Sequence, residues 1–270
     1  MVELRPLSPA LGVEAIGLAL DVPANAPDAA TLRDAYERAR LVLVRGGRVD
    51  MATQQRFASL FGPVIAAAYV SNARPDGIIP HGALLFHSDL AFTPHPYLGL
   101  SLHALELPAS GSSTWFVNAA AACRALPAAL RRRIDGCTAT HAFDLVTQRG
   151  DSQAHREPVP MAADRARHPV VLTHPVTGDE VLYVNEMQTE RINELDIDAS
   201  DELIGLLFAH LYSAEFTYEH RWQLGDLLVW DNIAVQHARR DPADGPRTLQ
   251  RVTLAHVDPL AGWKRGEAKY

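Results

Sequence analysis

From Leu84 onward the chain repeats one pattern: a short run of alternating or continuous apolar positions, then a turn signal. LLFHSDLAF, LGLSLHALEL, STWFVN, CTATHAF, PVVLTHP, EVLYVN, EFTYEHRW, DLLVWDN, AVQHA and RTLQRVTLAHV all read as strands. Turns such as Pro175–Thr177–Gly178–Asp179 and Gly225–Asp226 separate many of them. One segment, ASDELIGLLFAHLYS, has helical spacing instead. Ahead of Leu84 the pattern is mixed: GVEAIGLAL predicts a strand, TLRDAYERAR an amphipathic helix, LVLVRG a buried strand, and ATQQRFASLFG a second helix ended by Gly62. The Ala-rich stretch 118–130 predicts a helix. Many short strands and few helices predict a mainly β fold with flanking helices, a sandwich or jelly roll. Residues 144–167 are long, polar and unpatterned, which is the mark of a functional lid or a disordered segment. With 64–83 they are expected to form lid loops on a single domain spanning 1–270.

Composition changes this picture in one respect. The chain has 12 His beside 2 Cys, Cys123 and Cys137. A disulfide framework and a thiolate metal cluster are both excluded, so any metal is held by imidazole and carboxylate. The formal charge of −7 argues against a nucleic-acid surface. No apolar run reaches the roughly 18 residues of a membrane span, and the N-terminus lacks a signal-peptide pattern. A soluble cytoplasmic protein is the expectation, with a homo-oligomer as the default state for a soluble enzyme.

A common imidazole–carboxylate site places two His and one carboxylate on one face of a metal and leaves the other face open. On a strand, residues i and i+2 point the same way, so His-x-Asp offers two of the three ligands. The triplet alone is weak, since chance gives about 0.8 matches in a chain of this composition. Two occur, His87-Ser88-Asp89 and His256-Val257-Asp258, beside the related His155-Arg156-Glu157. His256 has no His after it, and His155 lies in the polar loop before Pro158 and Pro160. His87 and Asp89 sit in the apolar context LLFHSDLAF, with a third ligand, His237, available in the late segment WDNIAVQHARRD. Arg247 and Arg251 follow in RTLQRV and share a strand face. Two arginines aimed into a barrel are costly unless anions neutralise them, and a carboxylate suits a guanidinium well. An acid co-substrate is the natural partner.

The set FHSDLAF, GSSTWFVN, HPVVLTHPVTGDEVLYVN, YEHRWQLGDLLVWDN, QHARRD and PRTLQR resembles, in order and spacing, the TauD/TfdA group of iron(II)- and 2-oxoglutarate-dependent dioxygenases. The resemblance runs from GVEAIGLAL to about Leu260. It implies a double-stranded β-helix (jelly-roll) core with helices outside. It implies iron(II) on His87, Asp89 and His237, with 2-oxoglutarate and O2 as co-substrates. Thr114 and Arg247 match the pair that grips the distal carboxylate of 2-oxoglutarate. Arg251 matches an arginine facing the co-substrate or an anionic substrate, and Trp230 an aromatic near the iron. The implied reaction oxidises a small anionic molecule, by hydroxylation, with release of succinate and CO2. A carboxylate ligand at Asp89 fills the position that iron halogenases use for chloride, which ranks hydroxylation above halogenation. Two departures stand out. Gly111-Ser112-Ser113 replaces the family's Gly-Gly-Asp, and the segment after Phe61-Gly62 lacks the histidines of sulfonate-oxidising relatives, which counts against a taurine-type substrate. Two other classes stay open at this level: a non-oxygenase metal enzyme of cupin type, and a 2-oxoglutarate-binding module without turnover.

Overall fold

The computed structural model describes residues 2–47, 49–78, 83–143, 165–240 and 244–260. Its centre is two facing sheets. The larger has eight strands in the order β1-β2-β3-β15-β7-β17-β4-β5. These are β1 (Glu3–Pro6), β2 (Val13–Ile16), β3 (Leu41–Val44), β4 (Val64–Ser71), β5 (Gly77–Ile78), β7 (Gly99–Glu106), β15 (Leu227–Asp231) and β17 (Thr248–Leu254). The smaller runs β14-β8-β16-β6, from β6 (Leu84–His87), β8 (Ser113–Asn118), β14 (Thr217–Arg221) and β16 (Val235–Arg239). A three-stranded sheet joins β10 (Arg165–Pro169), β9 (Thr138–Ala142) and β13 (Thr189–Ile192), and β11 (Val171–Thr173) pairs with β12 (Glu180–Leu182). Among the described residues, five helices flank the sheets: α1 (Ala26–Ala39), α2 (Met51–Ala58), α3 (Ala119–Arg124), α4 (Ala128–Ile134) and α5 (Ile197–Leu211). The jelly-roll core expected from the sequence is present.

Period-two alternation decides which core each side chain enters. On β3, Leu41 and Leu43 turn into the space between the sheets, whereas Val42 and Val44 turn outward. On β15, Leu228 and Trp230 face inward, and Leu227 and Val229 outward. The outward set is covered by Leu32 and Ala35 of α1 and Phe57 and Ala58 of α2. Each fully buried Leu or Val of these layers contributes about 1.5–3 kcal/mol. Asn25 caps α1, accepting from the Asp28 amide at 2.9 Å, and Asp50 caps α2, accepting from Thr53 at 2.8 Å.

Three expectations are corrected. The first part of the 64–83 lid is strand β4, paired along its length with β17. Ala66–Ala67–Ala68 carry little β propensity of their own, and it is the ladder to β17 that holds them extended. Likewise, 165–167 of the second lid begin β10; residues 79–82 and 144–164 lie outside the described residues. The Ala-rich helix is two helices, because Pro127 interrupts it.

Candidate active site

The antiparallel ladder between β6 and β16 pairs His87 directly with His237. Their rings lie 4.2 Å apart between centroids. Asp89 reaches them from a turn rather than from the strand, since β6 ends at His87 and Leu90 is left-handed at φ 63°. This corrects the expectation of a ligand pair on one strand face. The turn is held by Asn232, which is fully buried. Its Oδ1 accepts from the Asp89 amide at 2.8 Å, and its Nδ2 donates to the Asp89 and Tyr97 carbonyls at 3.0 and 2.9 Å.

Asp89 Oδ1 lies 3.2 Å from His87 Nε2 and 3.7 Å from His237 Nε2. One ligand atom from each residue falls within 4.8 Å of the others. His87 Nδ1 donates to the Leu85 carbonyl at 2.7 Å, which leaves Nε2 for the centre. The second oxygen of Asp89 pairs with Arg251, whose guanidinium lies 5.5 Å from the Tyr97 ring centroid. Burial pushes the Asp89 carboxyl up, but Arg251, with His87 and His237, overrides it and holds the group well below the usual carboxylate range. Burial, then the neighbouring His87, pushes His237 down to about 3, so its ring is neutral at physiological pH. Two imidazoles and one carboxylate converging on a point suit a divalent iron ion. Trp230 packs edge-on to His237, with centroids 5.0 Å apart.

Arg247 lies just before β17, nearly buried at 8% exposure. Its Nε donates to Ser112 Oγ at 2.8 Å, and its amide to Asn72 Oδ1 at 2.8 Å. It makes no ion pair with a carboxylate among the described residues. Burial, then the nearby Arg239, pushes its guanidinium down to about 10. The Thr114 hydroxyl on β8 accepts from Trp222 Nε1 at 2.9 Å, and the Trp222 amide donates to the Ser112 carbonyl at 3.0 Å. Thr114 and Arg247 thus share the 112–114 segment as support, Thr114 standing on it and Arg247 bonding Ser112, without a direct hydrogen bond between them.

The competing triplets do not assemble. His256 and Asp258 are exposed beyond β17, and His81 and His155–Glu157 lie outside the described residues. His103, His141, His168, His174 and His220 are buried outside the His87–Asp89–His237 group. Sequence reasoning missed Asn232, Ser112, Trp222 and Arg239. The signal for Asn232 was a polar pair, Asp231–Asn232, closing the apolar run LLVW.

A family model for the taurine catabolism dioxygenase TauD, TfdA family matches residues 3–253. The chain belongs to that family, and it is an iron(II)- and 2-oxoglutarate-dependent dioxygenase, an oxidoreductase. It is similar to the alpha-ketoglutarate-dependent sulfate ester dioxygenase of Pseudomonas putida, with 30% identity over 96% of this chain and 91% of the relative. It is also similar to the alpha-ketoglutarate-dependent 2,4-dichlorophenoxyacetate dioxygenase of Cupriavidus pinatubonensis, with 28% identity over 92% and 96% of the two chains. Among solved structures, AAD-2 in complex with Mn(II) and N-oxalylglycine superposes with a TM-score of 0.81 at 26% identity, covering 96% of this chain and 99% of that one. These similarities favour the oxygenase over a cupin-type metal enzyme or a binding module. Among the described residues, no helix is long and apolar enough to cross a membrane.

Proposed function

We propose that His87, Asp89 and His237 hold the iron(II), that Thr114 and Arg247 take the distal carboxylate of 2-oxoglutarate, and that the substrate hydroxylated is a small organic anion met in the cytoplasm. One observation carries this reading: Nε2 of both histidines and one Asp89 oxygen converge on a point, in a barrel that also buries Arg247 without a carboxylate partner. When bound, iron and 2-oxoglutarate supply the activation of O2 for C–H oxidation, with succinate and CO2 released. The chain supplies position and charge. The Leu85 carbonyl fixes the His87 ring, Asn232 fixes the Asp89 backbone, and Arg251 fixes the Asp89 carboxylate. Ser112 orients the Arg247 guanidinium. Phe116 and Trp230, packed on each other 5.3 Å apart between centroids, wall the site from solvent.

Charge argues for the substrate class. Arg247 and Arg251 bring two cations to the barrel, and among the described residues Arg251 alone of the two pairs with a carboxylate, Asp89, before any metal is counted. A low-dielectric cleft of one sign concentrates ligands of the other. A carboxylate or a sulfate ester fits, as do the phenoxyacetate and sulfate-ester names of the relatives. A taurine-type sulfonate ranks lower, because PVIAAAYVSN after Gly62 has no His.

Anaerobic addition of iron(II) and 2-oxoglutarate is expected to give a visible charge-transfer band in the wild type and none in His237→Ala. Arg247→Ala should keep metal binding and weaken 2-oxoglutarate roughly tenfold to a hundredfold. A band that survives in His237→Ala would overturn the ligand set. Succinate release across carboxylates, sulfate esters and sulfonates then identifies the substrate.

A further inference from the structure

Arg247 sits one residue before β17, just outside the ladder in which Thr248 pairs with Ser71 of β4. A backbone in that position moves with the loop behind it, and a long side chain enlarges any such movement at its tip. One residue, the half-buried Asn72, removes that freedom with three hydrogen bonds. Asn72 Oδ1 accepts from the Arg247 amide at 2.8 Å, the Asn72 amide donates to the Arg247 carbonyl at 3.3 Å, and Asn72 Nδ2 donates to the Gly245 carbonyl at 2.9 Å. In an antiparallel rung two residues exchange both amide-to-carbonyl bonds. Here the side-chain oxygen of Asn72 takes the place of its main-chain carbonyl, and its amide nitrogen reaches two residues further back. Pro246 lies between the two tied residues, with its φ fixed by the ring.

Asn72 is itself anchored. The Ser71 hydroxyl bonds that of Thr248 at 2.8 Å and accepts from the Ala73 and Arg74 amides at 3.1 Å each. At Gly77, where β5 returns, a Cβ would stand 2.4 Å from the Ser71 carbonyl, so only glycine fits. The other end of Arg247 is held from the smaller sheet, by its Nε donating to Ser112 Oγ at 2.8 Å just before β8. Arg247 is pinned at its backbone by one sheet and at its Nε by the other. An arginine held at both ends has little rotamer freedom left to lose when a carboxylate meets its terminal nitrogens.

We propose that Asn72 is a positioning residue for the co-substrate: it fixes the backbone from which the Arg247 guanidinium reaches the distal carboxylate of 2-oxoglutarate. The role rests on the co-substrate pocket proposed above. Because Asn72 acts through Arg247, it bears on dicarboxylates alone and contributes nothing once Arg247 is gone.

The test is calorimetric titration of the Mn(II)-loaded protein with N-oxalylglycine, an unreactive dicarboxylate analogue of the co-substrate, and with pyruvate, which has no distal carboxylate. Asn72→Ala should weaken N-oxalylglycine roughly threefold to tenfold, with Mn(II) and pyruvate affinities within about twofold of wild type. Combined with Arg247→Ala, it should weaken N-oxalylglycine no further than Arg247→Ala alone, since residues that act through one contact are not additive. The role is overturned, and the pocket kept, if Asn72→Ala binds N-oxalylglycine like the wild type while Arg247→Ala loses it, or if the two losses add in the double variant. Equal losses for pyruvate and N-oxalylglycine, or a loss of Mn(II) affinity, would make Asn72 a general structural residue and also overturn it. If Arg247→Ala itself binds N-oxalylglycine like the wild type, the pocket falls and the role of Asn72 with it.

Discussion

Two buried constellations in this chain have the same ingredients. At the candidate metal centre Asp89 meets His87, His237 and Arg251; behind the β15–β16 turn Asp231 meets His174, Arg40 and, through Arg40, Asp179. Both carboxyls are held below their ordinary range: burial raises each, and the facing His and Arg groups override it. The direction of the shift therefore does not separate them. Saturation does. Asp231 accepts from the Ile233 and Ala234 amides at 3.0 Å each, from His174 Nε2 at 3.1 Å and from Arg40 Nη1 at 3.0 Å. Its capacity is spent on closing the turn. No amide reaches the Asp89 oxygens among the described residues, and two imidazole nitrogens point at the same oxygen. A His–Asp–Arg group whose lone pairs are filled by backbone is a rivet; one whose carboxylate takes no backbone amide and turns an oxygen to two imidazoles is a ligand set.

The contrast can be broken from either side. Asp231→Ala leaves Arg40 and His174 buried without their carboxylate, and should cost about 3–5 kcal/mol of stability. Urea unfolding at constant slope measures it. Mn(II) affinity of the folded fraction should stay within tenfold of wild type; a small stability change with lost metal binding would exchange the roles of the two constellations. Asn232→Ala touches both, since Asn232 ties the Asp89 turn to the end of β15. Metal affinity should fall roughly tenfold to a hundredfold, read by titration with Mn(II) alone. An unchanged affinity would show that Arg251 suffices to place Asp89.

The smallest effect concerns a histidine outside both groups. Burial, then His168, pushes His141 down to about 3. The unfolded imidazole titrates near about 6.5, so between the two values the unfolded chain binds a proton that the folded one refuses. Stability contributed by the neutral ring is present above about pH 6.5 and is lost as pH falls, by up to about 1.4 kcal/mol per pH unit. His141→Gln should flatten the dependence of the melting temperature on pH between 6 and 4. Equal slopes in the two proteins would assign that dependence to other groups.

Short apolar runs made most of the frame legible: LVLV, LLVWD and VQHA read as strands from sequence, and the structure then sorts their faces between the two cores. His237 follows from that logic, and so do the paired positions of Arg247 and Arg251. What stayed hidden depends on partners distant in the chain. Strand β4 needs β17 to hold its alanines extended. Asp89 was expected on the strand and arrives from a turn, because the buried Asn232 amide replaces the ladder as its anchor. Arg239 is buried while its neighbour Arg240 lies near the rings of Phe86 and Trp115, a difference that only the pairing of β16 with β6 and β8 reveals.

The direct pairing of His87 with His237 has one further consequence. In a β ladder a slip of one residue turns every side chain to the opposite face. Neither histidine reaches the centre unless two strands far apart in sequence have zipped in the correct phase. Chelation is thus a phase detector for the fold, and those loops between the two strands that carry none of the site residues are free to change length at little entropic cost. Relatives can vary what lies over the barrel while the ladder keeps the two imidazoles in step.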